Sequence, residues 1–127
     1  MNAIIIKLSV LLGLLQIAVA AIPSNSYELV PPQHQEGIYS LVQKYFPADK
    51  VDTALRIIKA ESNFKNIGND SSSAFGPFQI LKGTFEFYNC SGDRRVIEDN
   101  IRCAAKIYLK SGDWSDWEES KVVWNAK

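Results

Sequence analysis

Between Val51 and Ser62 the apolar positions fall at a helical period. Val51, Ala54, Leu55 and Ile58 recur at the i, i+3, i+4, i+7 spacing of a single buried stripe. Asp49, with Asp52 three residues on, offers an N-cap and first-turn negative charge for this helix. Upstream, Ile38, Leu41, Val42 and Tyr45 share one face of a short amphipathic helix over Glu36 to Phe46, which Pro47 stops or turns. Downstream, Asn63 to Ala74 is polar. Its turn signals, Gly68-Asn69-Asp70 and Ser71-Ser72-Ser73, leave room for two very short strands at most. Gln79 to Tyr88 reads as a short helix, with Ile80, Leu81, Phe85 and Phe87 supplying core. Asp93 to Lys110 is the longest pattern past the N-terminal run, with Ile97, Ile101, Ala104 and Tyr108 as its stripe. Gly112 fits its stop. Ser115, with Glu118 three residues later, predicts a capping box for a final helix carrying Trp117, Val123 and Trp124 on its apolar side. The pattern predicts a mainly α fold of about five helices around one core, with a small hairpin or loop region.

The N-terminal stretch has a different character. Ala3 to Ala20 is apolar except for Lys7, Ser9, Gly13 and Gln16, and ends in the A-x-A pattern Ala18-Val19-Ala20. Residues 1–20 therefore read as a secretory signal, with a retained membrane anchor as the competing reading. Residues 21–35, with three prolines and little periodicity, read as a linker, and 36–127 as the folded domain. The protein is expected to be exported: periplasmic, cell-surface or secreted.

The chain has 127 residues, with 14 basic and 14 acidic side chains. Removing the signal takes Lys7 and no acid, leaving 13 basic against 14 acidic. That balance, without a basic stripe, argues against nucleic acid as the main partner. His34, the only histidine, lies in the linker, so a His-based triad or metal centre lacks its commonest member. No metal or cofactor is expected. Cys90 and Cys103 are the only cysteines, and in an exported chain an even count favours a structural disulfide.

Glu61 is the residue that sets the chemistry. It follows Ile58 by three positions and Ala54 by seven, which puts a carboxylate on the apolar side of the central helix near its C-terminus. Burial disfavours the charged form, so its pKa should rise toward what a general acid needs near neutral pH. The plainer reading is a rim glutamate, or one paired with Lys65 at i+4.

Four ordered segments carry a resemblance. They are Glu61-Ser62; Gly76-Pro77-Phe78-Gln79-Ile80; Asn100-Ile101 leading to Ala104-Ala105 and Tyr108-Leu109; and Val122-Val123-Trp124-Asn125-Ala126. In this order they resemble the catalytic domain of the lytic transglycosylases, within the lysozyme-like superfamily. The resemblance implies an α+β lysozyme-like domain with its loop region bordering a saccharide cleft. It implies a monomer acting on peptidoglycan glycan strands, touching a membrane only through a retained N-terminal segment. Glu61 would be the catalytic residue, with Ser62, Gly76, Gln79, Tyr88, Trp124 and Asn125 binding substrate. At Gly76 the expected reason is close backbone approach to a sugar. Trp124 stands where the family has a Tyr whose hydroxyl reaches the Glu, and an indole can donate but not accept.

The reaction so implied breaks the β-1,4 bond between N-acetylmuramic acid and N-acetylglucosamine without water. Glu61 protonates the leaving oxygen and then takes the C6 hydroxyl proton as a 1,6-anhydro ring closes. A hydrolytic muramidase or chitinase is the main alternative and needs a second carboxylate, for which Asp70 is the loop candidate. A saccharide-binding module without turnover is the third reading.

Overall fold

The computed structural model describes residues 36–125. The signal over 1–20, the linker over 21–35 with His34, and Ala126 lie outside the described residues. Five α-helices follow in order: α1 Glu36–Tyr45, α2 Val51–Ser62, α3 Lys82–Phe87, α4 Ile97–Ser111 and α5 Lys121–Trp124. Two 3-10 segments, Ala48–Lys50 and Ser115–Ser120, precede α2 and α5. The fold is mainly helical. Extended pairing among the described residues consists of the bridges Gly68 to Phe75 and Phe75 to Ile80. None of the described helices is long and apolar enough to cross a membrane.

The expected stripes make the core. Ile38 and Val42 of α1 pack with Ala54, Leu55, Ile57 and Ile58 of α2 and with Ile101, Ala104, Ala105 and Ile107 of α4. The α2 stripe is wider than its sequence spacing indicates, because Ile57 is also fully buried while Val51 is only partly covered. Each buried Val, Leu or Ile side chain among them contributes about 2 kcal/mol, and each Ala methyl less than half of that. Aromatic rings close one end: Phe46 lies 5.6 Å from Phe78 and 5.7 Å from Trp114, and Phe78 lies 5.4 Å from Trp117. Cys90 and Cys103 form the expected disulfide, with Cα atoms 5.4 Å apart. It ties the turn after α3 to α4 and stabilises by about 3 kcal/mol on the loop-closure model.

Several element ends differ from expectation. α3 starts at Lys82 rather than Gln79, and Phe87 projects into solvent at 81% exposure instead of joining the core. Residues 93–96 form a turn before α4, with the Asp93 carboxylate accepting from the Arg95 backbone N–H at 2.9 Å. Asp49 does not cap α2. Lys50 occupies that position with no side-chain cap bond, and the Asp49 carboxylate sits 3.6 Å from the Lys50 ammonium. Ser115 does not cap a regular helix either. Its hydroxyl donates to Asp113 at 2.5 Å, and the chain continues as a 3-10 segment broken at Trp117, φ −109° and ψ 50°. The break has a cause: the Trp117 ring enters the aromatic cluster, and its indole N–H donates to the Phe78 carbonyl at 2.9 Å. Gly112 ends α4 as expected, in the left-handed region at φ 79°.

Asn100 is fully buried in α4, yet its amide is fully used. Its NH₂ donates to the carbonyls of Phe75 at 2.9 Å and Arg94 at 2.8 Å, and its oxygen accepts from the Phe78 N–H at 3.1 Å. This clamps the 75–80 loop to α4. Asn100→Ala would take the partner from the buried Phe78 N–H and the Arg94 carbonyl, leave the Phe75 carbonyl only its bond from the Ile80 N–H, and open a cavity in α4. The expected cost is about 3 kcal/mol, read as a lower urea midpoint at unchanged m-value.

Candidate active site

α2 carries Glu61 to the edge of a groove. The helix ends at Ser62, and the capping Asn63 takes a left-handed conformation at φ 51° with its N–H closing back on the Lys59 carbonyl. Asn tolerates that region; Phe64, at φ 62°, adopts it at a cost that burial of its ring offsets. Glu61 is half-buried at the groove wall. Successive helical residues turn by about 100°, so the next side chain points elsewhere. Ser62 is buried, its single hydroxyl hydrogen shared between the carbonyls of Ile58 at 3.1 Å and Pro77 at 2.9 Å.

The groove has a volume of about 680 Å³. Asn69, Ser71 and Ser72 of the polar loop form one rim; Ala74, Gln79, Ile80, Leu81 and Thr84 continue it, and Trp117 and Ile107 contribute apolar surface. Asp116, Glu118 and Glu119 line it as well, and no Lys, Arg or His does. Glu118 is partnered by Lys121 at 3.3 Å. The polar rim is built, not slack. Asn69 accepts from the backbone N–H and the hydroxyl of Ser71 at 2.9 and 2.8 Å, and Asn69 N–H donates to the Ala74 carbonyl at 3.1 Å.

Glu61 holds its proton more tightly than an ordinary carboxyl. The largest cause is burial, which disfavours the anion; the Ser120 hydroxyl hydrogen bond acts the other way, and the neighbouring charge of Glu119 raises the value further. The Ser120 hydroxyl donates to Oε1 of Glu61 at 2.5 Å. Ser120 is 5% exposed, one of the few buried polar residues.

The residues expected around Glu61 separate into two groups. Glu61 and Gln79 share the groove. Gln79, at φ 47°, donates its amide hydrogens to the carbonyls of Ile67 at 2.8 Å and Gly76 at 3.0 Å, which orients its side chain from the loop. Ser62 faces the interior. Gly76 is buried beneath the groove rather than open to a ligand; a Cβ there would lie 2.4 Å from the Asn100 amide nitrogen, and its φ is +83°. Its glycine is required by Asn100 and by backbone conformation. Tyr88 is not a lining residue; its hydroxyl donates to Asp116 at 3.1 Å, linking the end of α3 to the 115–120 wall. The Trp124 indole donates to the Trp117 carbonyl at 2.8 Å and makes no bond to Glu61. Asn125 is exposed beyond α5. Asp70 is exposed and outside the groove lining.

Ser120 is the residue sequence reasoning missed. A signal was present, for Ser120 follows Trp117 by three positions and precedes Trp124 by four, a polar group on the apolar face. Glu119 and Asp116 carried no such mark.

No family model, curated protein or solved structure matches the chain. The functional reading therefore stands on the groove's own chemistry. Among the described residues no cluster of three or more His, Cys, Asp or Glu converges to hold a metal ion. A half-buried carboxyl that holds its proton more tightly than an ordinary one, at the wall of a groove rimmed by amides and hydroxyls, can act as a general acid toward a polar, neutral ligand.

The raised pKa has a stability consequence. A carboxyl protonated more readily when folded favours the fold at low pH, and that advantage is lost as pH rises from the unfolded value near 4.5 through the raised folded value. Glu61→Gln removes the buried negative charge while keeping a carbonyl to accept from Ser120. Its melting temperature should exceed that of the wild type at neutral pH, with the gap closing as the pH falls below the ordinary carboxylate range. Thermal melts across pH check this.

Proposed function

We propose that the protein is a glycosidase of the lytic transglycosylase kind, acting on peptidoglycan glycan strands, with Glu61 as its catalytic residue. The observation that carries the reading is the half-buried carboxyl of Glu61, its pKa raised chiefly by burial, lining a groove of about 680 Å³. The order of the Glu61-Ser62, Gly76 to Ile80, Asn100-Ile101 and Val122 to Asn125 segments supports it in sequence.

The chemistry needs one acid. Protonated Glu61 gives its hydrogen to the oxygen linking the two sugars as the C1–O bond breaks and positive charge develops on the ring. The resulting carboxylate takes the C6 hydroxyl proton while O6 bonds to C1, closing the 1,6-anhydro ring. Glu61 ends protonated and no water is consumed. The groove's own groups suit an N-acetylated glycan: hydroxyls and amides of Asn69, Ser71, Ser72 and Thr84 for sugar hydroxyls and acetamides, and the exposed Leu81 for an apolar ring face.

A hydrolytic variant is favoured by one observation only. Glu119 lines the same groove, so the second carboxylate that hydrolysis requires would come from the 115–120 segment and not from exposed Asp70.

Mass spectrometry of peptidoglycan digested by the purified chain separates the outcomes. Anhydro-muropeptides are expected. Reducing ends would replace this reading with the hydrolytic one, and intact sacculi that retain the protein would replace it with a binding module. Glu61→Gln should lower turnover by at least about 10²-fold.

A further inference from the structure

We propose that Ser120 is the positioning residue for the Glu61 proton, fixing Oε1 as a hydrogen-bond acceptor and leaving Oε2 as the oxygen that gives up and retrieves the hydrogen. This rests on the reading of Glu61 as a general acid and assigns, within that reading, which oxygen works.

The geometry is specific. A serine hydroxyl has one hydrogen, and here it points at Oε1 from 2.5 Å. Ser120 is 5% exposed, so bulk water does not compete freely for that hydrogen. Ser120 is also held from both sides. Trp117, three residues before it, is anchored through its indole to the Phe78 carbonyl, and Trp124, four residues after it, is anchored to the Trp117 carbonyl. A hydroxyl placed between the buried Trp117 and the partly buried Trp124 holds one rotamer of the carboxyl it touches. With Oε1 engaged, a proton resides on Oε2.

Ser120 also balances the affinity for that proton. The charged groups facing Glu61 from the 115–120 segment are carboxylates: Glu119 beside it, and Asp116 and Glu118 along the groove, the last paired with Lys121 on α5. From α1, Lys44 is engaged by Glu98 at 2.9 Å. Burial and Glu119 therefore hold the proton, and the Ser120 hydroxyl is the group that stabilises the anion once the proton has left. A charge-assisted bond formed at Oε1 keeps the carboxylate in place, so the returning proton arrives at the oxygen that released the first.

The test uses the intact chain with Ser120→Ala, Ser120→Cys and Ser120→Thr. The Glu61 carboxyl is titrated by NMR after assignment with Glu61→Gln, and turnover on peptidoglycan is followed against pH. Removing the hydroxyl takes a stabiliser from the anion, so the Glu61 midpoint and the alkaline limb of kcat should both move to higher pH in the Ala variant. kcat should fall about tenfold with little change in KM. Cys, a weak donor of similar size, should move both in the same direction even if the Ala variant melts early, and Thr should restore both. An unchanged midpoint in Ala and Cys, with Glu61→Gln inactive, overturns the role of Ser120 and leaves the reading of Glu61 standing. If Glu61→Gln digests wall as the wild type does, the reading of Glu61 fails and this proposal with it.

Discussion

The side-chain amide of Asn100 binds three backbone groups, among them the buried N–H of Phe78. From that junction the groove is assembled in sequence. Asn100 holds the carbonyls of Phe75 and Arg94 and the N–H of Phe78, and its bulk is the reason residue 76 carries no side chain. With Phe78 fixed, its carbonyl receives the Trp117 indole, which pulls the 115–120 segment out of regular helix and against the core. That segment then sets Ser120 against Glu61. A neutral amide on one helix thereby controls the environment of a carboxyl on another.

The groove is where folding and chemistry pull in opposite directions. A half-buried carboxyl costs stability at neutral pH, and like-charged neighbours on the 115–120 wall add to that cost. The surrounding core offsets it: Leu55, Ile57 and Ile58 are fully buried within two turns of Glu61, and the aromatic cluster of Phe46, Phe78, Trp114 and Trp117 lies behind the wall. Glu61 and Ser62 show how finely the helix divides the two tasks. Adjacent in sequence, one faces the groove and the other faces the interior, where its hydroxyl joins α2 to the Pro77 carbonyl.

The helical periods were legible because α1, α2 and α4 each bury one face, and a face repeats in sequence. The same period marked Glu61, since a carboxylate on an apolar stripe contradicts its surroundings. The disulfide could be read from two cysteines in a chain with an export-like N-terminus. Irregular backbone was less visible. The sequence of Ser115 and Glu118 matches a capping box, but Trp117 gains more by turning into the aromatic cluster than a regular helix would return. Likewise the role of Gly76 depended on Asn100, 24 positions away, a contact that no local pattern encodes. Phe87 looked like core by composition, but α3 is too short to bury both of its faces.

Glu61 should remain a protonated acid after exposed carboxyls have ionised, and infrared difference spectroscopy reads that state directly. A protonated-carboxyl band is expected to persist above the pH at which exposed Asp and Glu have titrated, and to be missing from Glu61→Gln at the same pH. Loss of every carboxyl band together with the exposed groups, with no difference between wild type and Glu61→Gln, would contradict it.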